Sequence, residues 1–95
     1  MTNESLLAEA ERLTRSDRQS TYGHPEHDYS RVVGAFNALT GHQLTTEQGI
    51  LFMVCVKLAR EAFLPKRDNR VDAAGYLNCL QMVHDRRNSD EIEPR

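Results

Sequence analysis

The sequence predicts an all-α fold, a compact four-helix domain with short connections between its helices. Apolar residues recur at intervals of three and four in four separate segments, and no segment alternates apolar and polar residues over five or more positions. A chain of 95 residues is long enough for one domain only. We therefore expect a single domain over residues 1–87, followed by a polar C-terminal tail over residues 88–95.

The first predicted helix covers about Glu4–Arg15 and carries one apolar stripe. Thr2 or Asn3 is expected to cap it, because a side-chain oxygen at that position can accept a hydrogen bond from the first turn. Residues 16–24 are polar and show no period, so we expect a loop there with a turn at Gly23.

The second predicted helix covers Pro25–Leu39. Proline is favoured in the first turn of a helix, where its missing N–H costs nothing. Gly41 is expected to end this helix. Helical spacing is carried by the apolar residues Tyr29, Val32, Val33, Phe36 and Leu39.

The third predicted helix covers Thr46–Leu64. It follows a capping-box pattern formed by Thr45 and Gln48, and it ends before Pro65. Its segment Ile50–Val56 is apolar on every side. A helix of that kind is normally surrounded by protein, so we expect the third helix to be the most buried one in the fold.

The fourth predicted helix covers about Asn69–Asp85, with Asp68 or Asn69 as its cap. The short turn that begins at Pro65 folds this helix back on the third. One side of the helix is apolar and consists of Val71, Ala74, Leu77, Leu80 and Val83.

Composition and charge argue against several classes of function. The net charge is −2 and the pI is near 6.0, so the chain lacks the basic surface that nucleic-acid binding requires. The longest apolar run has seven residues, whereas a membrane span needs about 20. The N-terminus also lacks the pattern of a signal peptide. We expect a cytoplasmic protein in which Cys55 and Cys79 are buried thiols.

The segment Tyr22-Gly23-His24-Pro25 is the first candidate site. A loop that enters a helix N-terminus presents unpaired backbone N–H groups, which favour a phosphate or carboxylate. Tyr22 and His24 are therefore candidate ligand contacts. The alternative is that Gly23 makes a turn, Pro25 starts a helix and the histidine is solvated.

Charged residues around the turn between the third and fourth helices form the second candidate site. Lys57 and Glu61 are four residues apart and can pair, and Arg60 borders the same face. Glu61, Asp68 and Asp72 supply three carboxylates, the ligand type that Mg²⁺ and Mn²⁺ prefer. The alternative is that these charges cap the helices and hold their ends together.

One face of the fourth helix carries Asp72, Gly75, Tyr76 and Cys79. A glycine inside a helix costs about 1 kcal/mol relative to alanine, which close helix approach or room for a ligand would offset. Residues at equal distance from a tight turn face each other, so we expect Glu61 beside Asp72, close to the first candidate site. A cation is expected between the two carboxylates, either Mg²⁺ or Mn²⁺ or a side chain such as Lys57, Arg60 or Arg70.

Three blocks in this order, TYGHPEHDYSRV, KLAREAF and KRDNRVDAAGYLNCL, resemble a domain of unknown function that is common in bacteriophage and prophage genomes. The resemblance extends from about Arg18 to Val83. It implies a phage origin, and hence a location in the cytoplasm of an infected or lysogenic bacterium. It implies no particular activity.

The Asp-x-x-Gly-Tyr pattern of the fourth helix is similar to that of the all-α nucleotide pyrophosphohydrolases of the MazG and dimeric dUTPase type. This resemblance implies helical dimers or tetramers that hydrolyse nucleoside triphosphates with Mg²⁺ held by acidic residues on two helices. The Glu-x-x-Glu motif of those enzymes is missing here. The remaining candidate metal ligands are Glu61, Asp68 and Asp72, with Lys57, Arg60 and Arg70 as candidate phosphate contacts.

Two functions of different classes follow from these observations. The first is a phage-derived helical accessory protein that binds a host or phage protein or forms a structural oligomer. The second is divalent-metal-dependent nucleotide binding or nucleoside triphosphate pyrophosphohydrolysis. For both we expect a homo-oligomer, with a dimer as the first choice, because a short chain with few aromatic residues builds a thin core.

Overall fold

Helices run through almost all of residues 3–92, the part of the chain that the computed structural model describes, with side chains described as far as residue 88. The first helix is continuous but has three parts, α1, a π-helical segment and α2, so the predicted four-helix all-α fold is confirmed. Residues 3–92 contain no strand. The elements are α1 (Leu6–Arg12), the π segment (Leu13–Arg18), α2 (Gln19–Tyr22), α3 (Pro25–Thr40), α4 (Thr46–Phe63) and α5 (Arg67–Ile92).

The first helix is longer than predicted. Its cap is Ser5, whose hydroxyl accepts a hydrogen bond of 3.0 Å from the Ala8 N–H, and not the predicted Asn3. The other predicted cap, Thr2, lies outside the described residues. The loop expected over residues 16–24 is wrong for residues 16–22, because the helix continues through the π segment to Tyr22. A π-helical turn is wider than an α-helical turn, so a search at the ordinary helical period finds no repeat there. The turn predicted at Gly23 is confirmed.

α3 begins and ends where the sequence predicts. Pro25 is its first residue, and Gly41 ends it with a φ of 78°. Gly23, with a φ of 83°, ends α2 immediately before. Glycine adopts such positive φ values without the steric cost that other residues pay, so two glycines set the corners on either side of α3.

The capping box of α4 is also confirmed. The Thr45 hydroxyl accepts a hydrogen bond of 3.1 Å from the Gln48 N–H, and the Gln48 side chain accepts one of 2.9 Å from the Thr45 N–H. α4 ends at Phe63, two residues before Pro65. These local signals fix both ends of the helix.

α5 is longer than predicted at both ends. It begins at Arg67, so Asp68 lies inside its first turn and neither Asp68 nor Asn69 is the cap. Its backbone remains helical as far as Ile92, beyond the expected end near Asp85, and residues 93–95 lie outside the described residues.

α5, and not α4, is the most buried helix, so this prediction is wrong. Among the described residues, five of the ten buried apolar side chains belong to α5 and two to α4. The reason is position: α5 contacts α1, the π segment, α3 and α4, whereas α4 contacts only α3 and α5. The centre of the core consists of Tyr29, Ile50, Cys79 and Val83, with Met53, Tyr76 and Leu80 packed against them.

The two cysteines differ in their environment. Cys79 is buried in the core, as predicted, and burial raises the pKa of its thiol to about 11. Cys55 is exposed on α4, so the prediction that it is buried is wrong. Within residues 3–92, no helix combines the length and the apolar character that crossing a membrane requires.

Candidate functional site

A cleft of about 340 Å³ opens between the first helix and α5. Its α5 wall is the face predicted from the sequence, formed by Asp72, Gly75, Tyr76 and Cys79. Most of the opposite wall lies in the segment over residues 16–24, where the sequence predicts a loop. The sequence analysis therefore does not identify most residues of this wall. That wall is formed by Leu13, Thr14, Asp17, Arg18 and Tyr22.

The π segment brings the first helix close to α5. The Thr14 hydroxyl donates to the Ala10 carbonyl at 2.7 Å and lies 3.4 Å from the Gly75 carbonyl oxygen. A Cβ atom at residue 75 would lie 3.3 Å from the Thr14 hydroxyl oxygen, so Gly75 permits the close approach. Thr14, Arg18 and Tyr22 recur every four residues and line one cleft. That wider interval is the sequence signal that could have located this wall.

Arg18 is a cation enclosed by aromatic rings. Its guanidinium carbon lies 5.0, 5.5 and 5.7 Å from the ring centroids of Tyr22, Tyr29 and Tyr76, within cation–π range. Nη2 donates a hydrogen bond of 2.8 Å to the Tyr29 hydroxyl and lies 3.6 Å from Asp28. The buried Nε donates to no described residue. An unpaired buried donor costs about 1–3 kcal/mol, so the Arg18 side chain is incompletely satisfied.

Two groups beside Arg18 stay protonated at neutral pH. Burial raises the pKa of the Tyr29 hydroxyl far above its ordinary value, and Tyr76, whose ring packs edge-on at 6.1 Å, raises it further. The raised pKa of Cys79 likewise keeps that thiol neutral. A neutral buried thiol is a weak nucleophile, so neither group supplies a reactive anion.

The second candidate site has carboxylates on both sides of the α4–α5 turn. Glu61 lies before the turn and Asp72 after it, and each pairs with a cation of the protein. Lys57 Nζ lies 3.0 Å from Asp72 Oδ2, with side-chain exposures of 16% and 40%. Glu61 forms an ion pair with Arg70 and accepts a 2.9 Å hydrogen bond from the Lys66 N–H, which lowers the pKa of its carboxyl group. Two of the cations predicted for these carboxylates, Lys57 and Arg70, therefore pair with them. The predicted pair of Lys57 with Glu61 does not form.

Glu61, Asp68 and Asp72 do not come together as the metal site that the sequence suggested. No three His, Cys, Asp or Glu side chains among the described residues are placed so that they could hold a metal ion. Glu61 and Asp72 are bound to separate cations, and Asp68 is exposed in the first turn of α5. The residues present therefore do not fit Mg²⁺ or Mn²⁺.

Among the candidate ligand contacts, Tyr22 lines the cleft, whereas His24, Lys57, Arg60 and Arg70 do not. His24 caps α3: its Nδ1 accepts a hydrogen bond of 3.1 Å from the Glu26 N–H, so this side chain occupies the helix N-terminus expected to take a phosphate. Burial, together with the nearby charge of Arg86, lowers the pKa of His24 and favours the neutral form that can accept. Arg60 is exposed in a separate depression at the end of α4.

Comparisons with known proteins place the chain in a family. Residues 5–84 match the family described as "Domain of unknown function (DUF6378)". The chain is also similar to the Gene 55 protein of Mycobacterium phage D29, with 30% identity over 94 residues that cover 98% of this chain and 61% of the phage protein. The chain thus spans about three fifths of that relative's length. No solved structure matches. The resemblance to a phage domain predicted from the three sequence blocks is therefore confirmed, and the chain belongs to this bacteriophage-associated family of unknown function.

Proposed function

We propose that this phage-associated protein binds a small anionic ligand that carries an aromatic ring, of the nucleotide class, in the cleft between the first helix and α5. The observation that carries the proposal is that Arg18, in the wall of a concave site, lies among three tyrosine rings. Two of these rings, Tyr22 and Tyr76, line the same site. The cleft volume of about 340 Å³ falls at the lower end of the range for small-molecule sites, about 300–1,000 Å³.

The groups in the cleft match the two parts of such a ligand. The rings of Tyr22 and Tyr76 offer surfaces on which a base can stack, an interaction worth about 1–3 kcal/mol per base. The guanidinium of Arg18 can donate to phosphate oxygens. The carboxylates of Asp17 and Asp72 can accept hydrogen bonds from amino or hydroxyl groups.

The proposal concerns binding and contains no hydrolytic step. Pyrophosphohydrolysis of the kind suggested by the fourth helix depends on a cluster of acidic metal ligands, which Glu61, Asp68 and Asp72 do not form. Neither the family description nor the name of the phage relative mentions a nucleotide. The cleft alone therefore supports the ligand class.

Titration of the full chain with AMP, GMP, CMP and UMP, followed by calorimetry or by NMR of the tyrosine rings, tests the proposal. At least one nucleotide should bind with a Kd below about 1 mM. Arg18→Gln should weaken that binding about tenfold or more. Arg15→Gln is the matched control, because Arg15 lies in the same π segment but is exposed and pairs with Glu11.

Two further measurements test the contributions of the base and of the phosphate to binding. Tyr22→Ala removes a stacking surface that is 50% exposed, so the fold should persist while nucleotide binding weakens. Inorganic phosphate and the uncharged nucleosides should each bind more weakly than the matching nucleotide. Absence of saturable nucleotide binding, or equal loss in Arg15→Gln and Arg18→Gln, would contradict the proposal.

A second function, association with a protein, rests on a different observation. α4 exposes large apolar side chains, among them Phe52 at 63% and Phe63 at 91%. This supports the accessory role and the homo-oligomer expected from the sequence. The cleft and this surface share no lining residue, so the two functions can be tested separately.

A further inference from the structure

One side of α4 is apolar along nearly the whole helix and is uncovered. We call it the outer face. The charged residues of this half of α4 lie elsewhere: Lys57 and Glu61 pair with residues of α5, and Arg60 falls outside the face at helical spacing. The outer face consists of the exposed residues Leu51, Phe52, Cys55, Leu58, Ala59, Ala62 and Phe63.

We propose that the outer face is the interface of a homodimer, in which α4 of one chain packs against α4 of a second copy. The second function proposed above is association with a protein, and this inference rests on it and identifies that protein as a second copy of the chain. It does not depend on the ligand-binding cleft, to which α4 contributes no lining residue.

The spacing of the outer face fits another helix. Leu51, Cys55, Leu58 and Ala62 recur at intervals of four, three and four residues, which is the repeat of helices that pack side by side along a seam. The residues of α4 that serve the chain's own core lie on the inner side, where Ile50 and Val54 are buried. The second stripe has no partner among the described residues.

The outer face is complementary to itself when two copies run antiparallel. A two-fold axis near residue 57 places Phe52 opposite Ala62, a large side chain against a small one, and Cys55 opposite Ala59, two small side chains. The same axis places Leu51 beside Phe63. A two-fold interface requires such self-matching, because every contact is made twice with the roles exchanged.

The area is sufficient for a small stable dimer. Leu51, Phe52, Leu58 and Phe63 are 45%, 63%, 55% and 91% exposed. At about 200 Å² for a fully exposed large apolar side chain, these four alone offer roughly 500 Å² per copy. A pair would bury roughly 1,000 Å², the lower bound of about 1,000 Å² for a specific interface, before the smaller residues are counted.

The shape of the chain gives independent support. Its radius of gyration is 14.7 Å, against about 12 Å for a compact domain of this length, and its thinnest dimension is 21 Å. A second copy on the outer face would thicken the molecule and cover its apolar side.

The absence of charge on the outer face favours a second copy over a different protein. A face that recognises a foreign partner usually includes charged or polar groups that fix register and select the partner. The outer face contains no charged side chain, and Phe52 of one copy can pack against Ala62 of another. Association with a host or phage protein would instead leave the purified chain monomeric.

Light scattering on the purified full chain tests the proposal. Over a micromolar range we expect a mass twice the 10.9 kDa of the monomer. Phe52→Glu should weaken association about a hundredfold or more, because dimerisation would bury an unpaired carboxylate. Leu39→Glu, at a position of α3 that is 86% exposed, is the control and should stay dimeric.

Cysteine labelling gives a second readout. Cys55 lies in the outer face, whereas Cys79 is buried with a raised pKa, so a thiol reagent reports on Cys55 alone. Labelling should be slow in the dimeric wild type and fast in Phe52→Glu. Circular dichroism should show full helicity in that variant, since Phe52 lies outside the core.

Two results would overturn the proposal. One is a monomeric wild type in which Cys55 is labelled rapidly. The other is a dimer that persists unchanged in Phe52→Glu. Nucleotide binding should survive in Phe52→Glu, so failure of this proposal and failure of the ligand-binding proposal give different results.

Discussion

α4 and α5 lie side by side, and their burial is the reverse of what their composition predicts. α4 contains the seven-residue apolar run, yet it exposes Leu51 and Phe52 from that run. α5 carries many charged residues, yet it buries Val71, Cys79 and Val83 almost completely. α5 lies between the first helix and α4 and is covered from both sides. The burial of a helix therefore depends on its place in the bundle more than on its hydrophobicity.

The largest effect should come from the inner side of α4. Ile50 is fully buried, and Ile50→Ala should lower the free energy of unfolding by about 2–5 kcal/mol through lost burial and a cavity. Phe63→Ala, at a position that is 91% exposed, should cost far less in the same urea titration at low protein concentration. Similar losses for both variants would break the distinction between the two faces of α4.

The ion pair that joins α4 to α5 should have the next largest effect. Asp72→Asn leaves the mostly buried Lys57 ammonium without its partner, and we expect a loss of about 1–3 kcal/mol, between the values for surface and buried pairs. Replacing both partners, as in Lys57→Met with Asp72→Leu, should recover part of that loss in thermal melts. Addition of Mn²⁺ to the same samples is the control. Stabilisation by Mn²⁺ that disappears in Asp72→Asn would contradict the pairing and restore the metal site.

The contact of α4 with α3 can be probed at Gly49. A Cβ atom there would collide with Val33 Cγ1, and the β-branched valine has little freedom to move. Gly49→Ala should therefore cost about 1–2 kcal/mol despite the better helix propensity of alanine. Gly34→Ala is the matched control on α3, where a Cβ meets nothing within 4 Å. That variant should gain up to about 1 kcal/mol, and equal signs for the two would contradict the close packing.

The smallest effect should be a pH dependence that connects α5 with the start of α3. Burial and Arg86 of α5 lower the pKa of His24, and neutral His24 caps α3. Because the pKa of His24 is lower in the folded chain, the unfolded chain binds the proton more readily. The His24 cap therefore contributes its full stabilisation above a pH of about 6.5, and this contribution falls as the pH drops below that value. His24→Asn should keep the cap and flatten this dependence in melts between pH 7 and pH 5. An equal pH dependence in His24→Asn and in the wild type would contradict this role of the His24 cap.

Several features could be predicted from the sequence because they depend on a few neighbouring residues. Pro25, Gly41 and the Thr45–Gln48 capping box mark helix ends through backbone geometry and hydrogen bonds that form within one turn. The α5 wall of the cleft, with Asp72 and Tyr76, was likewise predictable from helical spacing. Such signals survive in any tertiary context, and they were sufficient for the all-α fold.

Other features were decided by contacts between segments far apart in the chain. Lys57 pairs with Asp72 across the turn and not with Glu61 four residues away, because the packing of α4 on α5 brings Asp72 closer. The π segment places Arg18 against Tyr76 of α5, which no local pattern of polar residues indicates. The four helices, the ends of α3 and the capped start of α4 could be read from the sequence, since they depend on short-range backbone forces. The tertiary structure decided the partner of each charge, the second wall of the cleft and the exposed face of α4, since these depend on which surfaces meet.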